Sequence, residues 1–420
     1  MDESMIGVTD FSSVVDTLCL GQNHTTNHAE MVQIVQRRVD EINRIIESAQ
    51  SRDNSLLGGN AGLALYYFNQ YETTELSSWK EKAGELVEQI INEVEGENPR
   101  LSGSSFCGGV AGLAWLISFF KQRQFINWDL KGELSDLDDY LFESGMEQIK
   151  GDYLDYLHGS MGILHYFTTR MHEPAIRSYA DEMIDALHAR AIHGEKGICF
   201  RNYMSPLSRD PQINLSLSHG LSGILLILMN AWKHSERKEL INEMLDKSIR
   251  YILSFRKDVD FSSGQFNFFP FTINDENSEA SETNRLAWCY GDLNQVILLN
   301  RAGTLLGQHN YTRLSELIGL QTLLRKDASA TLATDSHFCH GSAGLAQIYK
   351  TLYEETGQQA YLSGYNYWIE QTVLNLEREL QTGKYLGKER DFLEGLVGVG
   401  LALLNYTTDK KLYWANALLL

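Results

Sequence analysis

Cysteine, proline and positive charge are all in short supply in this sequence. The five cysteines (Cys19, Cys107, Cys199, Cys289 and Cys339) are odd in number and scattered over 420 residues, so no disulfide framework is evident. The chain therefore reads as cytosolic with reduced thiols, where a cysteine serves a metal, catalysis or plain burial. Lys and Arg number 36 against 55 Asp and Glu, a net charge of −19. That balance argues against nucleic acid as the main partner, because phosphate binding relies on Lys and Arg. It leaves a basic peptide electrostatically easy to bind. No apolar run approaches the roughly 18–20 residues of a membrane span. The opening residues, MDESMIGVTDFSS, lack the basic and apolar regions of a signal peptide. What remains is ordinary for a soluble globular protein, 43% hydrophobic and 22% charged. Its length suits two or three average domains or one large repetitive one.

Against 5 prolines stand 34 glycines, and they recur in one pattern. Gly-x-x-Gly followed by an apolar run of helical length begins at Gly59 (GNAGLALYYF), Gly109 (GVAGLAWLISFF), Gly159 (GSMGILHYF) and Gly220 (GLSGILLILMNAW). It continues at Gly291 (GDLNQVILLNRAG), Gly341 (GSAGLAQIYKTLY) and Gly395 (GLVGVGLALLNY). The fifth copy carries Asn294 in place of the second glycine. Most copies stand about 50 residues apart, the spacing of a repeat architecture. Between them lie amphipathic stretches such as 29–50, 78–95 and 239–255. Each repeat thus reads as an amphipathic outer helix, a turn and a more apolar inner helix.

Helices that are apolar nearly all round need neighbours on every side. The expected fold is all-α: an α/α toroid of seven inner helices inside seven outer ones, with residues 1–420 as a single domain of seven repeats. An open solenoid is the alternative, but GLVGVGLALLNY is too apolar to cap one. The intervals from Gly159 to Gly220 and from Gly220 to Gly291 are longer than the others, and the excess falls at 195–216 and 258–284. Their Pro, Asn, Ser, Gly and aromatic residues read as turns and short strands, a small loop-and-strand extension over one mouth of the ring. Long loops of this kind are often functional, and a plain surface embellishment is the competing explanation.

If the copies are equivalent, the residues directly before each first glycine share one rim. In order they are Gly58, Gly108, His158, His219, Tyr290, His340 and Glu394. The polar ones concentrate in copies three to six, one continuous arc. One position earlier stand Cys107, Cys289 and Cys339. Cys289 and Cys339 belong to neighbouring copies, whose inner helices should lie roughly 8–10 Å apart. Two thiolates with Zn–S bonds of about 2.3 Å span that distance, and His340 adds a nitrogen from the same turn. Two cysteines and a histidine with no obvious fourth ligand form the pattern of a catalytic zinc with an open position. Buried structural thiols are the alternative. Cys107, three steps round the ring, reads as a core thiol, as do Cys19 and Cys199. His219 is either a packing residue or an acid/base beside the metal. Asp155 either orients His219 or caps the following helix. Arg285, four residues before Cys289, either stabilises developing negative charge or pairs with a carboxylate.

The segments LAWCYGD, FCHGSAG and LSHGLSG, with the seven glycine-rich helices, resemble the lanthionine synthetase C family, the LanC-type cyclases, over essentially the whole chain. The resemblance implies a seven-plus-seven α-toroid with one zinc ion per chain. It also implies thioether-ring formation in ribosomal peptides, by addition of cysteine thiols to dehydroalanine or dehydrobutyrine. By motif it makes Cys289, Cys339 and His340 the zinc ligands and His219 the proton donor or acceptor, with Asp155, Arg285 and Tyr290 completing the catalytic set. The implied substrate is a dehydrated precursor peptide, with a dehydratase and an exporter as partners, in the cytoplasm at the periphery of a membrane complex. No dehydratase-like region precedes the toroid, so the stand-alone form is expected. The family often follows WCYG with x-Pro-Gly, whereas DLN stands here and bears on where the fifth inner helix starts. His158 and His337 match no family role.

Two rival readings keep the fold: a LanC-like protein that binds or adds glutathione, and a non-catalytic peptide-binding scaffold of a synthetase complex. Carbohydrate processing would need two facing carboxylic acids, and the aligned rim offers only Asp155 and Glu394.

Overall fold

Every Gly-x-x-Gly copy opens a buried helix, and every amphipathic stretch supplies the helix that covers it. A computed structural model describes residues 27–420 apart from positions 52, 95, 97–99, 127–130, 204–211, 275 and 277; Cys19 and part of the segment 195–216 fall outside the described residues. The outer helices are α1 (His28–Ser48), α3 (Ser77–Val94), α5 (Lys131–Lys150), α7 (Pro174–His188), α9 (Lys238–Leu253), α11 (His309–Thr322) and α14 (Gln359–Thr382). The inner ones are α2 (Asn60–Thr74), α4 (Val110–Gln122), α6 (Ser160–Thr168), α8 (Leu221–Trp232), α10 (Asp292–Leu306), α13 (Ser342–Thr356) and α15 (Leu396–Leu404). A short helix α12 (Ala328–Thr331) precedes the sixth inner helix. Helix α1 buries Val35, Val39, Ile42 and Ile46, one stripe at helical spacing. Helix α2 is instead buried at each residue from Asn60 to Gln70.

The ring closes. The last inner helix, α15, packs against the first, α2, and against α1, while α14 also meets α1. An open solenoid would leave these faces apart. Strands occur between the third and fifth inner helices: a hairpin of β1 (Ile192–Gly194) and β2 (Gly197–Cys199), and a three-stranded antiparallel sheet in the order β3 (Gln212–Asn214), β4 (Thr272–Asn274) and β5 (Ala280–Ser281). The hairpin begins at Ile192, ahead of the expected 195.

Backbone hydrogen bonds stitch neighbouring copies at the rim. Leu57 N–H donates to the Cys107 carbonyl (3.2 Å), Cys107 N–H to Leu157 (2.8 Å), Cys289 N–H to Cys339 (3.2 Å), Cys339 N–H to Leu393 (2.8 Å) and Phe392 N–H to Leu57 (3.1 Å). In copies three to five side chains take over. Leu157 N–H donates to Asp155 Oδ1 (2.8 Å), Leu217 N–H to Asn294 Oδ1 (2.9 Å), and Ser218 Oγ to the Cys289 carbonyl (3.1 Å). Asn294 thereby explains the degenerate fifth copy. At Gly112 an added Cβ would collide with the Phe106 carbonyl oxygen. In copy five the equivalent carbonyl, of Trp288, accepts from Asn294 Nδ2 at 2.9 Å. The backbone makes room by placing Gly291 at φ +117°, a conformation open to glycine. Helix α10 still begins directly after it, at Asp292, so the missing Pro-Gly does not displace the helix start.

Three residues before each first glycine stand Leu56, Phe106, Tyr156, Leu217, Trp288, Phe338 and Phe392, all buried. This apolar layer is met by the C-terminal 3₁₀ helix Trp414–Leu418. Tyr156 Oη donates to the Ala417 carbonyl, Trp288 Nε1 to the Leu418 carbonyl (3.0 Å), and the Trp414 ring packs on Phe338 and Phe392. A segment touching copies three, five, six and seven at once must lie on the ring's axis. It plugs the bore beneath the rim.

His165 on α6 is fully enclosed in this layer, against Phe106, Trp115 and Tyr156, and neither ring nitrogen makes a well-formed hydrogen bond. Burial drives its pKa down to about 4, offset only in part by the backbone at Asn416. The folded chain resists the proton that the unfolded chain accepts, so stability is lost as pH falls from about 6.5 to about 4, by up to about 3 kcal/mol. Denaturant unfolding at pH 7 and pH 4.5 is expected to show a smaller difference for His165→Phe than for the parent chain; an unchanged difference would contradict this assignment.

Candidate metal centre and rim

The residues that the repeat alignment placed on one rim do meet. Cys289, Cys339 and His340 offer one sulfur or nitrogen atom each within 4.8 Å of one another. Cys289 is buried and Cys339 and His340 are partly open. They come from two adjacent turns, each bent by the glycine that starts α10 or α13, and the Cys289–Cys339 backbone bond holds those turns side by side. Among the described residues no fourth His, Cys or carboxylate joins this group.

The two thiols are hydrogen-bonded to each other, and their ionisation is displaced in opposite directions. Hydrogen bonding from Cys339 draws Cys289 below the ordinary thiol range; burial opposes this, while His340 and Arg285 assist. Cys339 moves the opposite way, raised by its bond to Cys289 and by burial. A pair in which the first thiol ionises readily, with an imidazole and a guanidinium at hand, is a donor set suited to a divalent cation such as zinc. The residues present fit that ion by their chemistry.

His219 and Asp155 are in contact. His219 Nδ1 lies 2.8 Å from Asp155 Oδ2, and Asp155 is fully buried. The other carboxylate oxygen accepts from the backbone N–H groups of Leu157 and His158, both at 2.8 Å. Asp155 thus closes its own turn and contacts His219 at the same time; α6 is capped instead by Gly159 without a side-chain bond, so the helix-cap alternative does not hold. With Nδ1–H donated to the carboxylate, Nε2 is the nitrogen left for other partners. The His219 ring lies 5.9 Å from that of Tyr290 and 6.0 Å from that of His158, stacked on the latter. Burial raises the pKa of Tyr290, and the charges of Cys289, Asp155 and Cys339 add to it, so its phenol keeps its proton. Arg285 stands near enough to both thiols to favour their ionised forms.

Several neighbours escaped the alignment. Phe271 packs edge-on to Tyr290 at 5.9 Å, and Asn202 donates to the His219 carbonyl, so both strand-bearing segments touch the rim. Further carboxylates also reach it: the side chains of Asp53 and Asp391 flank Gly58, and Asp335 adjoins Gly341. The rim therefore carries more acids than Asp155 and Glu394. Asp391 stands four residues before its first glycine, as Asp155 does, and Asp53 and Asp335 stand six before theirs. Cys107, expected in the core, is partly exposed at the rim; burial nevertheless pushes its thiol up to about 12, helped by Asp391, Asp53 and Asp155. Cys199 is buried as expected. Asp292 forms a buried ion pair with Arg325 at 2.7 Å and accepts from the backbone of Phe268 and Phe269, which anchors the segment 258–284 beside α10.

A family model described as lanthionine synthetase C-like protein matches residues 50–419. Among solved structures, nisin cyclase is similar in fold, with a TM-score of 0.71 and 22% sequence identity over 92% of this chain and 96% of that one. No helix of the described residues is long and apolar enough to cross a membrane.

Proposed function

The chain belongs to the lanthionine synthetase C-like family, and on that premise we propose that it is a zinc-dependent cyclase acting on a dehydrated precursor peptide. It joins cysteine thiols to dehydroalanine or dehydrobutyrine, forming lanthionine and methyllanthionine rings. The convergence of Cys289, Cys339 and His340 carries this reading. These three would hold one zinc per chain and leave a position for a substrate sulfur. Bound there, zinc supplies a thiolate at neutral pH, where a free thiol is only a few per cent ionised.

The remaining work falls to rim side chains. As the new bond forms between sulfur and the β-carbon, the double-bond pair moves toward the carbonyl as an enolate. Arg285 and the protonated Tyr290 phenol stabilise that charge. His219, held by Asp155, returns to the α-carbon the proton that the thiol gave up, so the addition balances. The described parts of segments 195–216 and 258–284, tied to His219 and Tyr290 through Asn202 and Phe271, form the seat for the peptide, and residues 1–420 act as one seven-repeat unit. A dehydratase that supplies the substrate and an exporter that removes the product are the partners this chemistry calls for.

The test is a competition. A dehydrated peptide bearing its own cysteines is incubated with the purified chain and glutathione, with and without chelator, and free thiols are counted by alkylation and mass spectrometry. Peptide thiols are expected to vanish without mass gain, to persist under chelation, and to vanish again when zinc is restored. Predominant glutathione adducts would favour the glutathione reading. Cyclisation indifferent to chelation, by a chain without bound zinc, would defeat the proposal.

A further inference from the structure

His337, without a place in the mechanism above, stands against the candidate ligand His340. Their rings meet edge to face, with centroids 4.2 Å apart. His337 Nε2 lies 3.1 Å from Asp335 Oδ2. Asp335, His337 and His340 each offer a ligand-type atom within 4.8 Å of one another, so His340 is shared between this group and the two thiols. Two atoms of the group are buried without a hydrogen-bond partner: His337 Nδ1 and Asp335 Oδ1. An unpartnered buried acceptor is costly, and His337 is only 5% exposed.

The two orphans have a natural use. With Nε2–H given to Asp335, His337 Nδ1 presents a lone pair. A neutral imidazole that binds a cation through one nitrogen carries a proton on the other and needs an acceptor for it. His340 meets Cys289 and also lies within reach of the Asp335–His337 pair. A second ion bound by the same residues is disfavoured by Lys384, whose ammonium lies 3.2 Å from Asp335 Oδ2 and already supplies positive charge there. Lys384 also bonds Glu379 of α14 at 3.1 Å, and Glu379 accepts from the Ser336 backbone N–H at 3.2 Å. The acceptor is thus braced against an outer helix.

We propose that His337, held through its Nε2–H by Asp335, accepts the second ring N–H of His340, so that the two act as positioning residues keeping it in the orientation that binds the metal. This rests on the assignment of Cys289, Cys339 and His340 as ligands. The His337 Nδ1 orphan is then satisfied in the loaded protein, and the lone pair that binds the metal becomes more basic.

Metal affinity, read by competition with a chromophoric chelator, provides the test, together with the visible spectrum of the cobalt-loaded chain. His337→Leu is expected to bind zinc about 10- to 100-fold more weakly and to shift the cobalt bands, with the melting curve of the metal-free chain little changed. His337→Gln, which keeps an acceptor oxygen, should recover most of the affinity, and Asp335→Asn should weaken it in the same direction. Unchanged zinc affinity and an unchanged cobalt spectrum in His337→Leu would overturn the proposal. So would a second equivalent of metal in the parent chain that Asp335→Asn abolishes, because the pair would then ligate its own ion. A parent chain that takes up no metal would remove the ligand assignment itself, which separates the two failures.

Discussion

Cys289→Ala is expected to lose stoichiometric zinc and, with it, ring closure on a dehydrated peptide. Three protein donors share a binding free energy on the order of 10–16 kcal/mol for structural zinc sites. Losing one of them removes roughly a quarter to a third of it, about 10²- to 10⁴-fold in affinity. The fold should survive, because the hydrogen bonds that tie this turn to its neighbours come from its backbone: Cys289 N–H donates to Cys339 and its carbonyl accepts from Ser218. The substitution also removes the thiol whose ionisation Cys339 and His340 support. Metal analysis per chain and an intact-mass count of free thiols check both parts. One zinc per chain retained with full cyclisation would sink the ligand assignment.

His219→Ala tests the proton-transfer half of the mechanism and predicts a different pattern. Metal content should stay at the parental value, since His219 is not in the Cys289, Cys339, His340 group. The cyclisation rate should fall about 10²- to 10⁴-fold, the range for removal of a positioned general acid or base. Asp155→Asn sharpens the expectation. The amide oxygen can still accept from Leu157 and His158, as Asp155 Oδ1 does now. Its NH₂ group would then face His219 Nδ1 in place of Oδ2. A donor there turns Nδ1 into an acceptor and moves the ring proton to Nε2. A similar rate loss with intact fold and metal is therefore expected. Single-turnover rates at saturating peptide, with zinc measured on the same samples, provide the check; parental rates in both variants would remove His219 from the chemistry.

Much of this site was legible because its parts sit beside glycines. The repeat of Gly-x-x-Gly specifies where each inner helix begins, since a side chain at Gly112 would strike the Phe106 carbonyl. Once those starts are aligned and the copies pack side by side, Cys289, Tyr290, Cys339, His340 and His219 fall on one rim. The apolar inner helices likewise imply a shell of outer ones. The substitution of Asn294 looked like decay of the repeat, yet its side chain bridges Leu217 and Trp288 where the backbone relay is interrupted. Only its hydrogen bonds reveal that.

Composition and spacing, then, determined the seven inner and seven outer helices, the register of the turns and the chemical types along the arc, because each is set within a few bonds of a glycine. Tertiary structure alone decided that His337 and Asp335 stand behind His340, that Phe271 leans on Tyr290, and that Trp414–Leu418 plugs the bore. Those contacts join segments far apart in the chain or turn on side-chain orientation, and no local periodicity encodes either; they follow from closing the ring, when α15 meets α2 and every rim turn acquires its neighbours.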